Sequence, residues 1–600
     1  MNIKKIQKEL DEVYGGRIHA EYLDGTQSYN DEKACYNDDA SVRLTGELDN
    51  WEDILRACSM AVDPKVNKSG CLKPVHHVVN EIELTGVSMD ERNKTRIPQL
   101  TDDSLEGTRP DVLVIGGGIS GASIARELSG YKLDVLLIDK ESDLAMHSSG
   151  RNDGQVHPGV DLTHPCLKLK YVRKGNDIYD TVCEELGVPF KWIGQYVGFS
   201  GKFTRPLLEA FAWRKRQLGI KDTEIVSAEE LYKAQPEMNP GCSCALLNKR
   251  VGVVCPYGLT IAYAENAVQN GSRVSLNTAV LGMELEKTGG VRPERIKAVK
   301  TNRGTIYPKL VINAAGTFSD IIADMADDKF FSIHPRRGTI AILDRKANHL
   351  TSSIVGVKNL VNKGKSHTKG GGVMRTAHDN ILVGPDAIET YKREDFASYS
   401  DSIGNIFDKQ RNAFGGLAER DIITYFTGVR GPSFEEDFVI ERGRRTKNII
   451  HVAAIQSPGL TAAPAIAKDV ELLACSVLRE LGCRVESDSS YNPIRKAIPA
   501  VRELPDEERD ALIKENPDYG VIVCRCEEIS KGEIIDCLKS PIVVPTVDGI
   551  KKRVRPGMGR CQGGFCSPVV AKIISEYMDV PVSEVTKNGE GSVMLYGRTK

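Results

Sequence analysis

No single sign of charge dominates this chain: Lys+Arg 80 stands against Asp+Glu 82, a formal net charge of -2 over 600 residues. No global field therefore draws it to nucleic acid, and any anion must be held by local arginines. The opening MNIKKIQKELDEV is charged and lacks the apolar core of a secretory signal, so a cytoplasmic protein is expected. The most apolar long stretch, Asn448 to Ala467, is broken by His451, Gln456, Pro458 and Pro464. It falls short of the roughly 20 apolar residues that span a bilayer, which leaves at most peripheral membrane association. Internal repeats and low-complexity tracts are absent. The 15 cysteines would make a disulfide scaffold in a small secreted chain, but spread over this length they point to metal or redox use. What is present is ordinary globular composition, 40% hydrophobic and 27% charged, in a chain long enough for several domains at about 150 residues each.

Three unequal blocks are legible. Residues 1–106 hold a strand at Ser41 to Thr45, an amphipathic helix at Trp51 to Ala61 and a strand at Val75 to Leu84, a small α+β module. Its run VRLTGELDNWEDILRACSMAV followed by VHHVVNEIELTG resembles the BON module, a small domain associated with binding. His76 and His77 are neighbours in a strand, where successive side chains point to opposite faces, so they read as structural rather than as a metal pair. Residues 107–483 hold most of the core. A polar, proline-punctuated linker with one short helix spans 484–520, and a last module and tail occupy 521–600.

DVLVI, from Asp111 to Ile115, is an apolar β-branched strand, and Gly116, Gly118 and Gly121 follow in the spacing G-x-G-x-x-G. Ile119, Ala122, Ala125 and Leu128 recur at helical spacing, with Ile119 and Ser120 in the first turn, and LDVLLI makes a second strand ending at Asp139 and Lys140. The glycines permit a tight turn, approach of a pyrophosphate to the helix N-terminus and close helix–strand packing. Asp139 stands where a ribose hydroxyl is expected.

HSSGRNDGQVHPG (147–159), VINAAGTFSD (311–320) and NIIHVAAIQSPGLTAAP (448–464), in that order, resemble the glycine/D-amino-acid oxidase type of FAD-dependent oxidoreductase over about residues 110 to 480. The resemblance implies FAD in a Rossmann-like α/β domain with an inserted antiparallel-sheet substrate domain. It places Ser148, Ser149, Gly150, Arg151 and Gly154 near the flavin pyrophosphate or ring and Ala315 and Gly316 by the dinucleotide. Gln456, Ser457, Gly459 and Leu460 would wrap the ribityl chain and ring, where a helix N-terminus can stabilise an anionic reduced flavin. Within the type, the segment following Ser149, together with PRRGTIAILD and TAHDNILVGPDA, is similar to L-2-hydroxyglutarate and glycerol-3-phosphate dehydrogenases. These share an anionic substrate with a secondary alcohol.

Such a reaction needs a proton acceptor and an anion anchor. His157 is the candidate base, or else a hydrogen-bond partner of the cofactor; His378 is the substitute. Arg430 in FTGVRGPSFEEDFVI is the anion candidate, because a guanidinium fork pairs bidentately with carboxylate or phosphate. Arg337 and its neighbour Arg336 are weaker candidates, at least one of them expected in a surface ion pair.

Cys524 and Cys526 form C-x-C in VIVCRCEEIS, and 35 positions later Cys561 and Cys566 form C-x4-C in RPGMGRCQGGFCSP. A capping box, Ser530 with Glu533, and a cap at Ser567 before Pro568 place both pairs at helix N-termini. Positive helix ends and Lys551, Lys552, Arg553, Arg555 and Arg560 favour thiolates. Four thiolates suit zinc or [2Fe-2S]; the C-x-C with GMGRCQGGFC resembles the bacterioferritin-associated-ferredoxin (BFD) type of [2Fe-2S] domain over about 521 to 575, which favours the cluster. Cys537, Cys242 and Cys244 read as structural. The whole arrangement resembles the large subunit of anaerobic glycerol-3-phosphate dehydrogenases from about 110 to 580. The expected activity is oxidation of glycerol 3-phosphate or a 2-hydroxy acid such as L-2-hydroxyglutarate, with electrons leaving through the cluster to a partner subunit or quinone. The alternatives are an amino-acid or amine dehydrogenase subunit of the same fold and a non-catalytic flavin/iron–sulfur electron-transfer protein.

Overall fold

Five short strands stack in parallel at the centre, in the order Arg273–Ser275, Val135–Ile138, Val112–Ile115, Leu310–Asn313 and Ile449–Ala453, with Val439–Arg442 antiparallel at the edge. The four strands nearest the middle of this stack are buried at every position, as a parallel sheet covered on both faces requires. The helices Ile119–Leu128, Pro256–Gln269, Leu167–Leu186 and Gly459–Glu480 form the core of one face, and the strands Val280–Lys287, Glu294–Thr301 and Gly304–Ile306 cover the other. The computed structural model describes residues 3–23, 41–62, 77–162, 166–201, 204–220, 222–288, 294–358 and 371–597.

The insertion is a nine-stranded sheet in which Ile422–Arg430 pairs along Arg336–Leu343 and carries Arg430 opposite Arg336. One expectation is corrected here: the sheet is mixed, because Ile354–Lys358 runs parallel to Gln195–Phe199. Those strands come from distant parts of the insertion, so no hairpin forces them to oppose.

In the N-terminal module, Ile18–Leu23, Ser41–Leu48 and His77–Leu84 form a sheet packed by the helices Ile3–Tyr14 and Trp51–Val62. His76 and Val75 lie outside the described residues. Between 484 and 520 the chain carries the helix Asp506–Glu515 and, before it, straps the core. The Asn492 amide donates to Asn270 and Arg495 pairs with Glu265 at 2.7 Å. The last module is a two-stranded ribbon and the helices Lys531–Leu538, Val547–Val554 and Ser567–Met578 around their own apolar core.

Candidate active site

Gly118 is the N-cap of the helix Ile119–Leu128 and brings no side chain of its own to its positive end, a place suited to an anion. The turn before it exists only because of glycine. Gly116 has φ +112, and a Cβ on Gly121 would lie 1.9 Å from the Gly116 carbonyl oxygen. Asp139 closes the second strand, where its carboxylate accepts from the amides of Gly117 (2.6 Å) and Glu141 (2.8 Å). Burial pushes its pKa above the usual carboxylate range against those two amides. Lys140 pairs with Glu394 and, at 3.2 Å, with Glu141.

The loop after this strand folds back over the helix end. Ser149 Oγ accepts from the Ile119 amide at 2.9 Å, Ser148 Oγ donates to the Val429 carbonyl, and Arg151 Nη1 reaches the Thr427 carbonyl at 3.3 Å. Asn152, which sequence reasoning passed over, ties the loop together by donating to the carbonyls of Ser148 and Ser149 and accepting from the Gly154 amide. The loop therefore joins the glycine turn to the strand that ends at Arg430. Further on, the His157 amide donates to Thr461 Oγ1 at 2.8 Å, which sets His157 beside the N-terminus of Gly459–Glu480 and the Gln456–Leu460 turn. Ala315 and Gly316 follow the strand Leu310–Asn313 after one residue, Ala314.

Arg336 and Arg430 face each other across two strands, yet their partners differ. Arg336 is buried and held by Glu389 (2.5 Å) and Glu436 (2.6 Å), an interior pair rather than the surface one expected. Arg337 lies 3.7 Å from Asp395 and over the Tyr399 ring. Among the described residues Arg430 has no carboxylate at salt-bridge distance, and its Nη2 donates only to the Asp386 carbonyl at 3.3 Å. Burial pulls its pKa down, Asp153 opposes this and Arg336 adds to it. Glu436, unnoticed in the sequence beside Arg430, accepts from Gln456 as well as Arg336. Burial pushes its carboxyl up, but Arg336, Lys168 and His334 hold it down at about 2.

His378 does not join this group. It stands between the strands Gly372–Arg375 and Ile381–Gly384, where its carbonyl accepts from Arg345. Burial, then the charges of Arg555, Arg502 and Arg345, lower its pKa well below the imidazole range. Arg345, Arg502 and Arg555 also surround Glu527, so His378 stands where the last module meets the inserted sheet.

The four cysteines converge. Cys526 Sγ lies 3.9 Å from both Cys524 and Cys561, and Cys566 hydrogen-bonds Cys524. That bond, followed by the amides of Gly557 and Glu527, draws Cys524 down to about 5, while the amides of Phe565 and Gly563 outweigh burial at Cys561. A Cβ on Gly559 would come within 2.6 Å of Cys526 Sγ, so glycine keeps the pocket open. The capping box at Ser530 and Glu533 is present. Two details are corrected. Cys566, not Ser567, is the N-cap of Ser567–Met578, and its side chain makes no capping hydrogen bond. The first pair lies at the end of the strand Ile522–Cys524 and in the turn after it, with Ile529–Ser530 intervening before the helix. Cys537, Cys242 and Cys244 are buried in apolar clusters or strands.

The donor sets fit the two groups that the motifs imply. A helix end whose N-cap is a glycine, an acid at the second strand and, past the loop, the buried Gln155 Nε2 with no hydrogen-bond partner are polar groups that suit an extended dinucleotide. Four thiols with amide donors suit an iron–sulfur cluster. Residues 111–471 match the family of FAD dependent oxidoreductases, and residues 522–576 match the BFD-like [2Fe-2S] binding domain. The chain belongs to the FAD dependent oxidoreductase family. A glycerol 3-phosphate dehydrogenase from Caloramator mitchellensis is 37% identical to this oxidoreductase over 492 residues, 82% of this chain and 99% of that one. An L-2-hydroxyglutarate dehydrogenase from Indibacter alkaliphilus is 25% identical over 403 residues, 59% of this chain and 96% of the other. Dithionite-reduced L-alpha-glycerophosphate oxidase from Mycoplasma pneumoniae, solved with FAD bound, superposes with a TM-score of 0.57 at 27% identity, covering 64% of this chain and 98% of that one. This FAD dependent oxidoreductase is thus of the glycerol-3-phosphate dehydrogenase type, and its cofactors are FAD and a [2Fe-2S] cluster. Among the described residues no helix is long and apolar enough to cross a membrane.

Proposed function

We propose that this enzyme oxidises glycerol 3-phosphate in the cytoplasm and delivers the electrons through its C-terminal module to an acceptor subunit or a quinone. The observation that carries the reading is Arg430, a guanidinium at the mouth of the loop 148–157 without a carboxylate partner among the described residues, next to Arg336, which has two. A cation so placed calls for an anion from outside, and its planar fork matches a phosphate or carboxylate.

Oxidation of the secondary alcohol to a ketone removes a hydride from carbon and a proton from oxygen. FAD, when bound, would supply the hydride acceptor, and a [2Fe-2S] cluster a one-electron carrier. Arg430 holds the anion, whereas Arg337, one residue along from the directly opposite Arg336, points to the other face of the sheet, with Asp395 and Tyr399. His157 accepts the hydroxyl proton, its backbone pinned by Thr461 and by Asn176, which donates to the His157 carbonyl at 3.0 Å. The residues proposed to hold FAD are Gly116 to Gly121, Asp139, Lys140, Ser148 to Arg151, Gly154, Ala315, Gly316 and the Gln456–Leu460 turn. Those proposed to hold the cluster are Cys524, Cys526, Cys561 and Cys566. Anaerobic addition of glycerol 3-phosphate, and separately of L-2-hydroxyglutarate, tests the reading. Flavin bleaching by the phosphate alone supports it, bleaching by the hydroxy acid alone reassigns the substrate, and bleaching by neither removes both.

A further inference from the structure

The turn that follows Arg430 is gripped from two sides. On one side it belongs to the N-terminal module: Phe434 is buried in the same apolar cluster as Ile54, Ala61, Val78 and Ile82. The Val78 amide donates to Glu435 Oε1 at 2.7 Å, and His77 Nδ1 lies 3.5 Å from Glu435 Oε2. On the other side it belongs to the substrate site. Glu436 accepts from Arg336 and Gln456, and Asp437 accepts from the Leu167 and Lys168 amides at 2.9 Å each. His334 bridges the two, stacked on the Phe434 ring at 4.7 Å and hydrogen-bonded to Glu389, the other partner of Arg336. Neighbouring contacts fasten the same edge, since Asn80 and Ser41 bond to Ser332 and the Phe330 carbonyl.

Glu436 sits at φ +57, a conformation that a non-glycine residue keeps only when its surroundings dictate it. Two of those surroundings are the residues immediately before it, and both are clasped by a module that lies outside the family's matched range of 111–471.

We propose that the N-terminal module positions the substrate site: by holding Phe434 and Glu435 it fixes where Glu436, Arg336, Gln456 and Arg430 stand. Phe434 and Glu435 are positioning residues in this account, which rests on the reading that Arg430 anchors the substrate anion. A misplacement of about 1 Å in such a site costs on the order of 100-fold in rate.

The test uses the full-length holoprotein carrying Phe434→Ala, Glu435→Gln or the conservative Phe434→Leu. With glycerol 3-phosphate and an artificial acceptor, Phe434→Ala is expected to raise KM by about 10-fold or more with a smaller change in kcat, and Phe434→Leu to restore most of it. Flavin content and cluster absorbance stay at wild-type levels. Hydrogen exchange, which needs no substrate, is expected to quicken in 431–437 and 456–461 and to stay unchanged in 522–576. Wild-type kinetics together with wild-type exchange in folded Phe434→Ala overturn the proposal. Should that variant fail to fold, Glu435→Gln decides by the same two readouts. If the wild-type protein does not turn over glycerol 3-phosphate, the substrate reading fails while the exchange data still judge the positioning role.

Discussion

Both terminal modules meet the flavoprotein core through apolar and charged groups, but the turn after Arg430 is held by an aromatic ring and a backbone-directed hydrogen bond, whereas Glu527 and Asp143, where the C-terminal module docks, are held by arginines. Phe434 and the Val78–Glu435 bond stand for the first. For the second, Glu527 is buried among Arg345 (2.8 Å), Arg555 (3.2 Å) and Arg502 (3.4 Å), and Asp143 holds Arg553 (3.1 Å) and Lys552 (3.4 Å). Packing of the first kind transmits shape, because an apolar ring has one well-fitting position. Contacts of the second kind also transmit charge. Arg345, Arg502 and Arg555 surround Glu527, with Glu503 also pairing Arg502, and this gathering of guanidiniums next to Cys526 suits a site built from four thiolates.

Removing a single charge on the C-terminal side should have the largest effect. Asp143→Ala takes the carboxylate from Lys552 and leaves Arg553 to Glu265 at 3.9 Å, and breaking such a buried pair costs about 3–5 kcal/mol. Thermal unfolding followed at the cluster absorbance should fall well below wild type, with exchange in 41–62 unaffected. An unchanged transition would show that these pairs do not hold the module. Arg430→Ala lies between the two regions and should disturb neither docking surface. It should raise KM by about 10- to 100-fold, the worth of a charge-assisted hydrogen bond of about 1.5–3 kcal/mol, with flavin still bound. Unchanged kinetics would remove Arg430 from the anion site.

Acid sharpens the comparison further. The pKa of Glu436 is depressed from 4.5 to about 2, so its contribution to stability is fully present above pH 4.5 and is lost as pH falls through about 2. Stability curves of wild type and Glu436→Gln should therefore differ at neutral pH and converge on acidification; parallel curves would contradict the assigned pair. The smallest effect should come from Phe434→Leu, which keeps an apolar side chain in the module's core but loses the ring under His334, with no change in the iron–sulfur absorbance.

The motifs with fixed spacing were readable because their chemistry is local. Gly116 to Gly121, the capping box at Ser530 and the cysteine pairs each need neighbours only a few residues away, and the structure forms all three. Long-range placement was not readable. Nothing in TAHDN tells that His378 lies in the field of Arg345, Arg502 and Arg555. Likewise FTGVRGPSFEEDFVI displays Arg430 but hides that Phe434 and Glu435 belong to one side of the chain and Glu436 and Asp437 to the other. The parallel pairing of Ile354–Lys358 with Gln195–Phe199 and the cap at Cys566 are of the same kind, fixed by partners far away in sequence.

The central claim is that substrate electrons pass from the flavin site to the C-terminal cluster. Low-temperature EPR of anaerobic holoprotein frozen after one equivalent of glycerol 3-phosphate, wild type beside Cys561→Ser, tests it most directly. The account predicts a reduced [2Fe-2S] signal in the wild type, and in the variant no cluster signal although the flavin is reduced. A wild-type cluster that stays oxidised beside a fully reduced flavin would contradict it.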